Sequence, residues 1–545
     1  MSSGATSQRR RNPDGIVQRP DDFEVPDVVM ESALLVDEWM RVDPRVSPKA
    51  RTREEKPGTF PAMPRLPSAA PLAILLALPT ISGCAGRDAE PPNPTRRLHA
   101  VLPSTAVVGE PVDLFVAPLT DLGIPSLDWT GRLRIEATDP ELATPSPFRG
   151  DGQGALVMPG VAFGTPGVHR VTVTSDSGDV AIAGPVRVVR SAEELRPRQG
   201  EAPLRIFWGD AHGHSDVGDG VHPPRQYFHY ARDIARLDFT CLSEHDYQQF
   251  LEVGLDETPA GWDSIAAASR EWRRPGFAVL LGWEWSSRAH GHRVVLFPAD
   301  GERYVSFQQA STPADLAEAL RGTGAFSIVA HPSGSELTPV VDWQTIVPGF
   351  DRAIEVYSGH GAMDGDRAFR PTSAPRPGAS AIDAIRRGFR FGIVAFSDTH
   401  LSTPGNPWPP PIRDAPWRGG LTAVCAPAAT EADVFAALRD GRTYATSGER
   451  FLVEFRAGDR TMGETLAVEK GRGIRVTGLA AGSGAWRRIE IMAGERVLEP
   501  VAAGGATVEL SREVGPFDGD TALWLRGESE AGERFWTTPV WVVPG

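Results

Sequence analysis

Cysteine is almost missing from this chain: Cys84, Cys241 and Cys425 are the only three in 545 residues. None has a neighbour at CxxC spacing, so neither a disulfide framework nor a thiolate zinc site can be assembled. Cys241 and Cys425 lie in apolar runs ("FTCLS", "TAVCAP") and read as buried small hydrophobes. Positive charge is also in deficit, with a formal net charge of −14. The one basic patch, "SQRRRNP", reads as a solvated tail, so no nucleic-acid partner is expected. No internal repeat is evident. What remains is ordinary globular stock, 41% hydrophobic and 23% charged, with 57 Gly and 49 Pro implying many turns. At this length about two to four units are expected.

Residues 1–62 carry no periodic hydrophobic pattern and read as a disordered or mis-annotated upstream extension. From Met63 the sequence "MPRLPSAAPLAILLALPTISGCAG" has a basic start at Arg65, an apolar core from Pro71 to Ile81 and small residues before Cys84. The apolar run is too short for a permanent transmembrane helix and has the order of a secretory signal. "ISGC" resembles a bacterial lipobox, which implies cleavage before Cys84, lipid attachment to its sulfur and a membrane-anchored, exported protein. Ala85 after the cysteine does not look like an inner-membrane retention signal, so an outer-membrane or periplasm-facing location is expected. Residues 85–97, Pro-rich, read as a linker.

Residues 98–190 show short apolar or alternating runs ("PVDLFVAP", "GRLRIEA", "GVHRVTVTS") between Gly, Pro and Asp turns, the pattern of an immunoglobulin-like β-sandwich. His99 and His169 stand alone in its strands and read as packing histidines. Residues 448–545 again read as short strands, a second β-sandwich-like domain whose Trp residues suit core packing better than a groove.

Between them, residues 204–447 alternate strand-like runs ("LRIFWGD", "LDFTCLS", "FAVLLGWEW", "HRVVLF", "AFSIVAHP", "AIEVYS", "FGIVAFS") with amphipathic stretches ("PPRQYFHYARDIARL", "TPADLAEALRGTG", "GASAIDAIRRG", "ATEADVFAALRDG"). The alternation predicts an α/β unit with a parallel sheet closed as a barrel, whose chemistry gathers at the carboxyl ends of the strands. Polar residues follow that rule: His212 and His214 end the first run, Glu244, His245 and Asp246 the second. Glu284, His331, Asp398 and His400 end later ones. Ten of the twelve histidines lie between 212 and 400. Imidazole with carboxylate suits zinc, manganese or iron, whereas calcium prefers oxygen alone. In "HGH", side chains two apart on extended backbone share a face, so His212 and His214 can bind one ion.

"GDAHGHSDVGDG", "SEHD", "AHP" and "FSDTH" resemble, in order, the motifs of the PHP (polymerase and histidinol phosphatase) superfamily of metal-dependent phosphoesterases. The opening "FWGD" and the flanking β-regions are similar to a bacterial branch whose members mostly lack an assigned function. The resemblance covers about 240 residues and implies a distorted (β/α)7 barrel with two or three divalent ions. It places His212, His214, Glu284 and Asp398 around one ion, Glu284 bridging to a second held by His292 and His331, and Asp219, His245 and His400 around a third. The following strand favours His292 over His290. Two departures stand out: Glu244 where the pattern has Asp, and Gly218 where it has a small hydroxyl residue.

The expected reaction is hydrolysis of a phosphate ester by a metal-bridged hydroxide, on a phosphorylated small molecule or a cell-surface polymer. Asp210 is a candidate to orient a ligand imidazole or to cap a turn. Arg288 and Arg293 are candidates to grip phosphate, against an ordinary surface role. His290, His360 and Asp246 are candidates for leaving-group protonation, and the sequence does not choose among them. A metal-dependent amidohydrolase or carbohydrate-ester hydrolase, and a non-catalytic lipid-anchored binding protein, are the competing readings.

Overall fold

The computed structural model describes residues 96–545, apart from 128, 146–147, 150–153, 248–252, 259, 299–302, 367, 413 and 502–503. The expected signal segment, Cys84 and the upstream extension lie outside the described residues. Among those described, no helix is long and apolar enough to cross a membrane. The molecule is mixed α/β but dominated by strands, with few and short helices.

The N-terminal region forms two facing sheets. Arg96–Val101, Pro111–Thr120 and Leu156–Ala162 make a three-stranded antiparallel sheet. Thr105–Val107, Val180–Val189, Gly167–Ser175, Arg132–Ala137 and Phe148–Arg149 make a five-stranded one. Strand Gly167–Ser175 alternates strictly in burial, so Val171 and Val173 meet Leu114, Val116 and Met158 between the sheets. His169 is buried there, with Nε2 2.9 Å from the Thr165 carbonyl. His99 packs edge-on to Phe115 and Trp408, and burial pushes its pKa down to about 3.

The central region supplies ten strands that position the site: β1 (Arg205–Asp210), β2 (Phe239–Cys241), β3 (Ala278–Leu280), β4 (Gly282–Trp285), β5 (Arg293–Leu296), β6 (Phe326–Val329), β7 (Asp351–Ser358), β8 (Gly392–Ala395), β9 (Leu421–Ala426) and β10 (Thr443–Thr446). Five helices lie between them: α1 (Pro224–His229), α2 (Gly261–Trp272), α3 (Pro313–Ala319), α4 (Ala381–Arg386) and α5 (Glu431–Arg439). The helix α1 continues as a π-turn, Tyr230–Ile234. All four amphipathic stretches are helical. Three start on hydroxyl caps that accept a backbone N–H, Thr312, Ser380 and Thr430. At α4, Ser380 and Asp383 form a reciprocal capping box.

The expectation of a wholly parallel sheet is corrected by the pairing. β1, β2 and β3 are parallel, as are β6, β7 and β8. However, β4–β5–β6 and β1–β9–β10 are antiparallel. The run "FAVLLGWEW" breaks at Leu281, and its halves join different sheets. Gly282 permits the close approach, since a Cβ there would lie 2.3 Å from the Val295 carbonyl oxygen. The segment joining β4 to β5 is too short for a crossover helix, so that pair must be antiparallel. The two sheets meet at parallel bridges, His245 with Glu284 and Gly213 with Thr399.

Nor does the central unit end near residue 447. Its sheet runs on from β10 to Arg534–Thr537, Thr521–Ser529, Trp486–Ala493 and Arg496–Val501 and, with Val540–Pro544 and Thr465–Val468 branching from that path, has eleven strands in all. A four-stranded sheet built on Leu452–Ala457, Ile474–Ala481 and Thr507–Val514 covers the C-terminal part. Between these layers lie Phe451, Val476, Ile491, Leu525 and Phe535. Trp486 and Trp536 are fully buried, as core packing predicts. Of the described cysteines, Cys241 is buried and Cys425 only partly so; both are free thiols.

Candidate metal centre

The sheet ends deliver acids and imidazoles to one place. β1 runs directly into His212 and His214, β2 into Glu244 and His245, β6 into His331 and β8 into Asp398 and His400. Glu284 projects from β4 itself, and His292 enters β5 from the same end because that strand is antiparallel. Two of these residues, His331 (φ 25°) and Asp398 (φ 53°), hold the left-handed backbone that side chains other than glycine rarely adopt. Such strain persists where surrounding structure enforces it.

All nine residues singled out as ligands fall into four overlapping groups of mutually close ligand atoms. Around the first position, His212 Nε2 lies 3.3 Å from Glu284 Oε2 and 3.5 Å from Asp398 Oδ1. His214 Nε2 lies 3.6 Å and 3.1 Å from the same two oxygens. Tetrahedral ligands at about 2.05 Å from a cation stand roughly 3.3 Å apart, which is this spacing. The other Glu284 oxygen, Oε1, is 2.9 Å from His292 Nδ1 and 3.0 Å from His331 Nε2. Asp219 Oδ2 stands 3.4 Å from His400 Nε2 and 3.7 Å from His245 Nε2. Most of these side chains are fully buried, while His400 remains about a quarter exposed and marks the mouth.

The donor set fits a divalent metal on its own chemistry. His212 Nε2, Asp219 Oδ1 and Glu284 Oε2 are buried without a hydrogen bond of acceptable geometry. Native interiors leave few such atoms unless an ion or ligand takes them. Burial pushes the Glu284 carboxyl up, but His245, His212 and His292 together hold it well below the carboxylate range. Asp398 behaves alike, with His212 and His360 outweighing burial.

Five of the other candidates have different places. Arg293 is wholly buried and donates from Nε to Asp351 Oδ1 at 3.1 Å and from Nη1 to the His290 and Gly291 carbonyls. Strand alternation turns it away from His292, so it is not a phosphate grip. Asp210 touches no imidazole. Its oxygens accept the Ser397 and Gly405 N–H groups at 2.9 and 3.0 Å, bracing the turn that carries Asp398, and burial pushes its pKa up to about 6. Asp246 likewise accepts the Tyr247, Ser286 and Phe307 N–H groups; burial pushes its pKa up to about 7, and it belongs to none of the ligand groups. His290 belongs to none of the ligand groups, and Arg288 is exposed on the loop between β4 and β5.

His360 does join the cluster. Its Nε2 is 2.8 Å from Asp398 Oδ2, and its Nδ1 is 2.8 Å from the Asp414 carbonyl and 3.2 Å from the Asp414 carboxylate. The sequence reading missed Asp414 and, more tellingly, Glu355. Fully buried on β7, Glu355 meets His212 Nδ1 at 3.1 Å and accepts the His331 N–H at 2.9 Å. It therefore orients one imidazole and fixes the backbone of another, the role first sought for Asp210. The signal was present: an acid inside the apolar strand "AIEVYS" is costly to bury unless paired.

No family model matches the chain. An uncharacterised protein of Chlamydia pneumoniae is 22% identical over 427 residues, covering 71% of this chain and 64% of the relative. An uncharacterised Chlamydia trachomatis protein is 23% identical over 423 residues, with the same coverage. The chain thus spans about two-thirds or slightly less, 64%, of the length of these relatives. Among solved structures, a two-domain Bacteroides vulgatus protein containing a predicted PHP-like metal-dependent phosphoesterase is 16% identical, covering 63% of this chain and 99% of that one, with a TM-score of 0.34. A Parabacteroides merdae β-glucuronidase is 9% identical, covering 83% and 64%, with a TM-score of 0.15.

Proposed function

We propose that this chain is a metal-dependent hydrolase of the PHP type, and within that class a phosphoesterase. The observation that carries the reading is Glu284: one buried carboxylate presents Oε2 to His212 and His214 and Oε1 to His292 and His331. With His245 Nδ1 also 2.9 Å from Oε2, such a carboxylate could serve two cations, one on each oxygen. Divalent ions, when bound, supply Lewis acidity and activation of water near neutral pH. The chain's own residues do the rest. Glu284 and Asp398 stay ionised against burial because imidazoles surround them. Glu355 and His360 fix the orientation of His212 and Asp398. His400, about a quarter exposed, opens the way for a substrate.

The parallel bridges that join the two sheets support reading the central region as a distorted barrel. The lipobox-like "ISGC" supports an exported, lipid-anchored protein, acting on a phosphorylated small molecule or surface polymer.

Elemental analysis of protein purified without added metal is expected to find about two or three transition ions per chain. Those ions and turnover of an aryl phosphate should fall together in Asp398→Ala, with aryl acetates and anilides turned over poorly by the wild type. Protein that stays metal-free after dialysis against zinc and manganese sinks the proposal.

A further inference from the structure

His214 has two edges, and the reading above uses one. Nε2 faces Asp398 at 3.1 Å. Nδ1, on the far edge, faces Asp219 Oδ1 and Glu244 Oε2, each at 3.8 Å. All three atoms are buried and lack a hydrogen bond. The Glu244 carboxylate is fully buried and anchored, since its Oε1 accepts the backbone N–H of Ser215, next to His214. Its Oε2 has room only because residue 218 is glycine: a Cβ there would sit 2.3 Å from that oxygen. Gly218 is not among the glycines with positive φ, so backbone freedom does not require it.

We infer that Glu244 is a positioning residue for the metal centre and that Gly218 is the space it needs. This rests on the metal centre proposed above. An imidazole that offers Nε2 to a cation must carry its proton on Nδ1, and an acceptor opposite Nδ1 sets both tautomer and ring orientation. Glu355 meets that need for His212. Glu244, whose Oε2 stands 3.8 Å from Nδ1, is the acid placed to meet it for His214 when the cation is bound, leaving Asp219 Oδ2 to His245 and His400. Shortening the acid withdraws the acceptor, and enlarging residue 218 displaces it. Doing both makes the shorter acid and the larger neighbour compatible again.

The test measures cobalt affinity, by competition with a chromophoric chelator, and the visible cobalt spectrum. It uses the wild type, Glu244→Asp, Gly218→Ser and the double variant, with thermal unfolding of the metal-free proteins as the folding control. Each single variant is expected to bind about 10-fold or more weakly with an altered spectrum, and the double variant to recover most of the loss. Single variants that bind like the wild type, or a double variant no better than the worse single, overturn the inference. Should Gly218→Ser not fold, near-isosteric Glu244→Gln takes its place: an altered spectrum supports the assignment and a wild-type spectrum overturns it. A wild type that takes up no cobalt, zinc or manganese overturns the metal centre itself.

Discussion

Protonation of the clustered imidazoles makes the candidate centre sensitive to pH. Burial lowers the basicity of His212, but Asp398, Glu284 and Glu355 carry it well above the usual histidine value. His214 is raised in the same sense by Asp398 and Glu244, and His245 by Glu284 and Asp219, again against burial. The raised basicity favours protonated rings in the metal-free protein, so an entering cation competes with protons for them. Zinc binding should release protons near pH 7 and tighten as pH rises. Calorimetric titrations in buffers of differing ionisation enthalpy check this, and an affinity unchanged by pH contradicts it. The nine candidate ligands were legible in the chain because the cue was local: His, Asp or Glu where an apolar run stops. Glu355 showed only as an acid inside an apolar strand and Asp414 not at all, since their roles lie in what they touch, 143 and 54 residues away in sequence.

At the scale of elements, β8 shows how a buried strand manages without a full set of backbone partners. One side pairs with β7. On the other, Thr422 Oγ1 accepts the Ala395 N–H at 2.9 Å and donates to its carbonyl at 2.8 Å. Thr538 Oγ1 accepts the Ile393 N–H at 2.7 Å, and Thr443 Oγ1 donates to the Ile393 carbonyl at 2.8 Å. Hydroxyls thus replace a ladder beside the strand that delivers Asp398. Thr422→Val, nearly equal in volume, would leave two buried backbone groups unpaired and cost about 1–3 kcal/mol, whereas Thr422→Ser should cost less. Denaturant midpoints decide it; a neutral Thr422→Val refutes the argument. Strands and helices were readable from periodicity and caps. The split of "FAVLLGWEW" between two sheets was not, because a continuous apolar run does not reveal where its backbone changes partners.

At the scale of the molecule, the C-terminal strands complete the central sheet. β10 pairs with Arg534–Thr537, and Tyr357 stacks on Trp536. Arg534 reaches Asp366 and Glu528. The N-terminal sandwich is tied in as well, through Trp208 Nε1 to Ser104 at 2.8 Å and Tyr230 to the Gly123 carbonyl at 2.7 Å. A chain ending at Ser447 would expose the edge of β10 and remove the Thr538 hydroxyl, so it should aggregate or lose fixed tertiary packing. Size-exclusion chromatography and near-ultraviolet circular dichroism check this; a soluble, ordered monomer with full metal content refutes it. The sequence by itself determined the strand-rich composition, the helical segments and the ligand types at the strand ends, because hydrophobic period and side-chain chemistry are local properties. Only the tertiary structure decided strand direction, the continuity of the large sheet and which oxygen of Glu284 faces which histidine, because each depends on the closure of distant segments against one another.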